Sequence, residues 1–255
     1  MPTLLDGAMG TELARRGFGL RAPLWGAGAL RDAPDLVQTI HRDYAEAGAT
    51  ALTTNTFGLD ADHASLADVG VRLACAAAPH ARCVGALGPA DPRAPVDAQR
   101  AHYAALGRAL ADAGADVLFA ETHTTLAGAR TAVDTLRPLG RPVWVALACS
   151  PNGTTLGGDV LDARGLDADV VFVGCSEASS LRPALAALSI GAAALGLRPS
   201  RARTSPKGFD PNGTSEAALV EAIEDACAAY DVAFVGGCCG TTPSFIAALA
   251  ARETP

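Results

Sequence analysis

A chain of 255 residues with 49% hydrophobic content is long enough for one large core and short for two domains, so residues 1–255 are expected to form a single domain. A formal charge of −7 with no basic cluster argues against nucleic-acid binding. No apolar run approaches the ~18 residues of a membrane span and no leader-like segment opens the chain, while seven cysteines, an odd number, make no disulfide framework; a cytoplasmic protein with reduced thiols and no membrane contact is expected.

Short β-branched or apolar runs alternate along the chain with longer amphipathic ones. The pattern predicts strands at 3–5, 50–54, 83–87, 116–120, 143–148, 169–174, 191–195 and 232–235. The clearest helices are predicted at 35–47, 97–113, 126–136, 181–188, 216–230 and 243–251. Ser215 before Glu216 and Pro34 before Asp35 are helix starts. Ala47-Gly48-Ala49 and Ala113-Gly114-Ala115 give the glycine stop that feeds a parallel strand. Eight strands with intervening helices in this length predict an α/β fold, a (β/α)8 TIM barrel; an open doubly wound sheet would show fewer strands. Two stretches break the rhythm. Residues 151–165 hold too much glycine for a helix, so the fifth crossover is expected to be irregular, and residues 197–213 read as a long Pro/Arg/Gly loop after strand seven.

The most specific motif is Gly236-Gly237-Cys238-Cys239-Gly240-Thr241-Thr242-Pro243, directly after the last apolar run. In an extended strand adjacent cysteines point to opposite faces, but flanking glycines let the backbone turn and bring both sulfurs to one point. Two such thiolates suit a soft metal, above all zinc, and Cys175 at the end of strand six is placed to be a third ligand. On the motif alone, a vicinal disulfide, two small apolar side chains in a turn, and a phosphate cradle remain alternatives. Cys149, ending strand five, is the one competing ligand; Cys75 and Cys227 lie in helical patterns and Cys83 begins a strand.

In a barrel the C-terminal ends of the strands face one mouth. Read in order, those ends carry Asp6, Thr54 and Asn55, Glu121, Cys175, then Cys238 and Cys239. Glu121 is a substrate anchor or a strand-end carboxylate paired with an arginine; Asp6 is an anchor or a helix N-cap. Thr54 and Asn55 hydrogen-bond a substrate or cap the following turn. His123 reads as a rim residue bonded to backbone, His41 as structural, and Trp25 as a buried loop anchor.

Asp6-Gly7-Ala8-Met9-Gly10-Thr11-Glu12-Leu13, His41-Arg42-Asp43-Tyr44 with Ala47-Gly48-Ala49, and Thr53-Thr54-Asn55-Thr56-Phe57 are followed by Ala120-Glu121-Thr122, Gly174-Cys175 and the Gly236 to Pro243 motif. In this order they resemble the homocysteine S-methyltransferase family, including the homocysteine-binding module of cobalamin-dependent methionine synthase and the betaine–homocysteine methyltransferases. The resemblance implies methyl transfer to the thiol of homocysteine, forming methionine. It also implies that Cys175, Cys238 and Cys239 bind Zn2+, and that Asp6 and Glu121 hold the amino acid. The chemistry is coherent: a free thiol has a pKa of about 8.5, and a sulfur placed at the open position of a three-ligand zinc loses its proton. Three thiolates leave zinc with a net negative charge, which favours a cationic donor such as S-methylmethionine. A methylated corrinoid protein as donor, and a non-catalytic homocysteine- or zinc-binding barrel, are the alternatives. The family's usual asparagine before the first zinc cysteine is Gly174 here, and Arg198-Pro199-Ser200-Arg201 stands where many members carry Pro-Asn-Ala-Gly.

Overall fold

The computed structural model describes residues 2–205, 208–210 and 213–252. The first seven barrel strands are β1 (Thr3–Leu4), β2 (Ala51–Thr53), β3 (Arg82–Leu87), β4 (Val117–His123), β5 (Val143–Leu147), β6 (Val170–Gly174) and β7 (Leu195–Arg198). An antiparallel hairpin of β8 (Arg203–Ser205) and β9 (Gly208–Asp210) precedes the eighth barrel strand, β10 (Val232–Val235). All pairings around the barrel are parallel, in the order β1-β10-β7-β6-β5-β4-β3-β2. The two ends of that order meet through a Leu5–Ala51 bridge, with Asp6 N donating to Ala51 O at 3.0 Å and Thr50 N to Leu4 O at 2.8 Å. The eight-stranded ring closes there.

Nine α-helices are described: α1 (Met9–Arg15), α2 (Ala29–Asp32), α3 (Pro34–Glu46), α4 (Leu66–Ala77), α5 (Val96–Asp112), α6 (Leu126–Leu136), α7 (Leu181–Leu188), α8 (Glu216–Ala229) and α9 (Pro243–Arg252). Ser215 caps α8 by accepting from Ala218 N, as its position before Glu216 predicts. Gly48 and Gly114 take left-handed φ of 109° and 98° one residue past the caps of α3 and α5, the conformation that ends a helix and turns the chain back to the sheet. The fifth crossover has no helix; Cys149–Thr155 and Thr154–Val160 bridges fold it on itself, as its glycine content predicts. Among the described residues no helix is long and apolar enough to cross a membrane.

Two apolar layers follow from strand alternation. Leu5, Val84, Phe119, Trp144, Ala146 and Phe172 point inward and fill the barrel, with Phe234 packed against them. The aromatic rings of this plug are close: Phe119 and Phe172 centroids lie 4.8 Å apart, Trp144 and Phe234 4.5 Å. The outward faces of the strands bury Leu118, Val145, Val171 and Leu197 beneath the helices.

Strand seven corrects the sequence reading. It was expected at 191–195 and runs instead over Leu195–Arg198. Gly191 has a left-handed φ of 109°, which ends the preceding turn, and Gly196 gives Phe172 the space a Cβ would take. A strand of Leu-Gly-Leu-Arg carries no β-branched residue, so its pattern is faint. The correction moves Arg198 out of the expected loop and onto the inner end of a barrel strand.

Candidate metal centre and acceptor site

The cysteine turn is held from three sides. Gly236 N donates to Leu197 O, Gly237 N to Asp6 O, Cys238 N to Pro199 O and Gly240 N to Thr11 Oγ1, at 2.8–3.0 Å. The Thr241 hydroxyl donates to Cys238 O at 2.7 Å and accepts from Ala8 N at 3.1 Å, tying the turn to the N-terminal loop. Gly237 is required by contact, since an added Cβ would run into the Thr241 side chain. Cys175 leaves β6 with φ 49°, a left-handed backbone rare for a residue with a Cβ, and its N–H donates to Arg198 O at 2.9 Å. Strain at this position re-aims the first cysteine off the strand.

The three sulfurs converge. Cys175 Sγ lies 3.8 Å and Cys238 Sγ 4.0 Å from Cys239 Sγ, and all three fall within 4.8 Å of one another. A tetrahedral ion with metal–sulfur bonds of about 2.3 Å requires sulfur–sulfur edges of about 3.8 Å, so the cluster has the dimensions of a metal site. Hydrogen bonds from Cys175 and Cys238 lower the pKa of the Cys239 thiol, so this sulfur is the one most readily ionised in the cluster. Two of the alternatives for the motif find no support. No disulfide is formed, and the N–H groups of Gly236, Gly237, Cys238 and Gly240 that a phosphate would need are spent on protein acceptors. Cys149 lies outside the cluster; its sulfur donates to Leu147 O, and burial pushes its thiol up to about 12.

Beside the sulfurs, Asp6, Glu121 and Arg198 form a buried trio. Arg198 is 4% exposed and lies with its guanidinium carbon 5.7 Å from the Phe119 ring centroid, on top of the aromatic plug. Its Nη1 donates to Glu121 Oε2 at 2.9 Å, its Nη2 is 3.5 Å from Asp6 Oδ1, and its Nε donates to Gly237 O at 3.1 Å. Asp6 accepts from Thr53 N and Thr53 Oγ1, each at 2.8 Å. Asp6 therefore caps no helix; the residue at the N-cap of α1 is Ala8. Glu121 projects from the irregularity between Ala120 and His123 of β4, where Thr122 takes φ 60°. Burial raises both carboxyls against the pull of Arg198, Asp6 to about 7, and Cys238 adds to the push on Glu121.

A family model described as homocysteine S-methyltransferase matches residues 3–252. The chain belongs to the homocysteine S-methyltransferase family. It is 30% identical to the homocysteine S-methyltransferase of Escherichia coli K12 across 98% of this chain and 94% of that protein. It is 28% identical to the methionine synthase of Mycobacterium tuberculosis across 96% of this chain but 24% of that larger protein. The crystal structure of the homocysteine methyltransferase MmuM from E. coli in its metallated form matches with a TM-score of 0.81 and 26% identity, covering 99% of this chain and 96% of that one.

This member's departures from the expected family residues have local causes. At Gly174, a Cβ would approach the Ala146 Cβ to 2.7 Å, so an asparagine does not fit beside this β5. After Arg198, Pro199 O and Ser200 Oγ bond the cysteine turn, the latter donating to Cys239 O at 3.1 Å. Other expected residues are placed as follows. The Thr54 hydroxyl accepts from Ala86 N and bonds Thr56 Oγ1. Asn55 donates to Gly26 O at 2.8 Å and so fixes the loop between α1 and α2. His123 is 2% exposed, its Nε2 has no partner, and burial lowers its pKa to about 4, which replaces the expected rim position with an interior one near Tyr103. His41 is buried with both ring nitrogens unpartnered, and burial lowers it likewise to about 4. Trp25, expected as a buried anchor, is 58% exposed; it lines a cavity of about 420 Å³ with Phe18, Arg21, Arg31 and His63, away from the sulfurs. The residues missed by the sequence reading are Thr53 and Arg198. Thr53 was visible only as part of a motif, and Arg198 was hidden by the misplaced strand.

Proposed function

We propose that this chain transfers a methyl group from a small sulfonium donor, S-methylmethionine or a relative, to the sulfur of homocysteine, with zinc held by Cys175, Cys238 and Cys239. The observation that carries this reading is the convergence of three sulfurs at the mouth of a barrel that matches the family over residues 3–252. Their spacing and soft donor set suit zinc over a hard cation. A bound zinc ion supplies the Lewis acidity that keeps the acceptor sulfur deprotonated near neutral pH.

The protein's own groups then orient the partners. The cysteine turn, fixed by Thr241 and Pro199, sets where the acceptor sulfur sits. Asp6, held by Thr53, and Glu121 form the polar wall that meets the acceptor's tail, while Thr54 and Asn55 shape the wall by holding neighbouring backbone. In the transfer a carbon–sulfur bond forms to the acceptor as the donor's sulfur–methyl bond breaks. The electron pair stays on the donor sulfur, which leaves as a neutral thioether, and the acceptor's thiol proton goes to solvent. A donor that starts cationic loses its charge at a centre with surplus negative charge, which favours it over a neutral one. We also infer a single homocysteine-binding barrel domain for the chain of residues 1–255, and a cytoplasmic setting from its odd number of cysteines.

A second reading keeps the acceptor and changes the donor to a methylated corrinoid protein. It is favoured by the match to a methionine synthase four times longer than the matched region, and by the exposed apolar side chains of Trp25, Phe57, Leu156 and Val160. Zinc-loaded protein is offered homocysteine with S-methylmethionine, S-adenosylmethionine, betaine, or a methylated corrinoid protein. Methionine formed from a sulfonium supports the first reading. Methionine formed from the corrinoid protein alone replaces it with the second.

A further inference from the structure

Arg198 sits between the two carboxylates that the family resemblance assigns to the acceptor's amino group. Its Nη1 is on Glu121 and its Nη2 faces Asp6, and the remaining donors reach Gly237 O at 3.1 Å, Gly7 O at 3.4 Å and Thr53 Oγ1 at 3.5 Å. The side chain is 4% exposed, so its charge is balanced by these protein groups. We propose that Arg198 is the resident counter-cation of this pocket and a specificity-determining residue: it occupies the place of the acceptor's α-ammonium, so the site accepts thiols that lack one. The inference rests on the methyl-transfer reading for its assay and deepens that reading by naming the acceptor class, short carboxylate-bearing alkyl thiols with or without an amino group.

The argument is one of charge and space. Two ionised carboxylates alone would call for two positive charges, and a substrate ammonium would be the obvious one. With a guanidinium already hydrogen-bonded to Glu121 and facing Asp6, the trio carries at most one net negative charge. An incoming ammonium would gain less from the carboxylates and would approach a second buried cation. Glu121 Oε1, which takes no hydrogen bond among the described residues, is the single carboxylate oxygen left to it on that residue. The acceptor is then held chiefly at its sulfur. The planar fork of an arginine, with donors to spread over both acids and two carbonyls, suits this role in a way a lysine would not.

The test compares homocysteine with 4-mercaptobutanoate, which has the same thiol, chain and carboxylate but no amino group. Both are titrated into zinc-loaded protein by calorimetry, and both are supplied as acceptors with S-methylmethionine, thioether product being followed by mass spectrometry. A charge-assisted contact to a buried carboxylate ordinarily contributes roughly 10- to 150-fold in affinity, so the inference expects the two thiols to bind within about ten-fold of each other, and both to be methylated. A preference for homocysteine above that overturns it, whatever the methyl-transfer result. Arg198→Met, where it folds, should raise the preference for homocysteine by at least about ten-fold by exposing the carboxylates, and Arg198→Lys should raise it less. Equal binding of both thiols without transfer from any donor would remove the methyl-transfer reading and leave this one standing. Transfer to homocysteine alone would do the reverse.

Discussion

Glu12 and Asp6 lie six residues apart, both 1% exposed and both beside arginine, yet their carboxyl groups are driven in opposite directions. Glu12, in the first turn of α1, takes three short bonds from Arg15 and Arg16 at 2.6–2.7 Å, and Arg16 also reaches Asp43 at 2.6 Å. Burial opposes its charge, but these bonds win and its pKa is lowered. Asp6 faces one arginine, at 3.5 Å, which it shares with Glu121; there burial wins and its pKa rises to about 7. What differs is the state of the cation. Arg15 is 59% exposed at its side chain and keeps its hydration while it pairs, whereas Arg198 is 5% exposed and serves two acids. The first cluster is a surface clasp on a helix. The second is a buried cluster in which two acids share one cation.

Removing the arginine from each cluster should separate them most sharply. Arg198→Met leaves two buried carboxylates without their cation and is expected to cost about 3–5 kcal/mol in urea unfolding. Arg15→Met leaves Glu12 with Arg16 and is expected to cost less than about 1 kcal/mol. Equal losses would mean that the burial of Arg198 carries no energetic weight.

The pH dependence of stability sharpens the same contrast. Glu12 has a lowered folded pKa, so its contribution is present above its unfolded value and is lost as pH falls through the folded one. Asp6 has a raised folded pKa: below its unfolded value it costs nothing, and its penalty grows as pH climbs from about 4 to about 7, to an order of 4 kcal/mol. Metal-free Asp6→Asn should therefore gain stability relative to the native protein across that window, read as the difference in unfolding free energy at each pH. A constant difference from pH 4 to pH 8 would contradict the burial of an uncompensated acid. His41 and His123, lowered to about 4, act on the acid side instead; their neutral forms are favoured, so stability falls as pH drops from about 6.5 toward 4. Replacing His41 with a buried neutral residue of similar size should shallow that acid limb.

A smaller effect than that of Arg198 is expected at Thr53. Thr53→Val removes the hydroxyl donated to Asp6 but keeps the backbone bond, at a cost of about 1 kcal/mol, and should push the Asp6 titration further up. Carboxyl chemical shifts followed through pH would register it. An unmoved Asp6 titration would show that the backbone N–H alone sets its environment.

The sulfur cluster was legible because its parts are chemically loud. Two cysteines in a glycine turn and a third after a valine-rich strand are expected at one place, where the structure brings the three sulfurs together, and the barrel follows from the alternation of those strands with helices. The trio was half legible. Asp6 and Glu121 stand at strand ends where a barrel exposes them, and pairing with an arginine was open for Glu121 from the start. Which arginine was hidden, because β7 is built of Leu-Gly-Leu-Arg and its glycine serves Phe172 rather than a turn. The glycines of the cysteine motif were read correctly as necessary but for an incomplete reason: Gly237 is there for contact with Thr241, and the left-handed turn is made by Gly240 at φ 80° and by Cys175 itself. Such contacts depend on side chains distant in sequence, and no local pattern encodes them. The exposure of Trp25 belongs to the same class, since the loop between α1 and α2 is fixed by Asn55 from the turn after β2.

The most direct test of the three-sulfur centre measures bound zinc and methionine formed in one preparation. Protein purified without chelator is analysed for metal, then assayed with homocysteine and S-methylmethionine, beside Cys239→Ala and Cys149→Ala variants. The account predicts one zinc per chain and turnover in the native protein and in Cys149→Ala, with both lost together in Cys239→Ala. Zinc at full stoichiometry in Cys239→Ala, or its loss in Cys149→Ala, would contradict the assignment of Cys175, Cys238 and Cys239 as the centre.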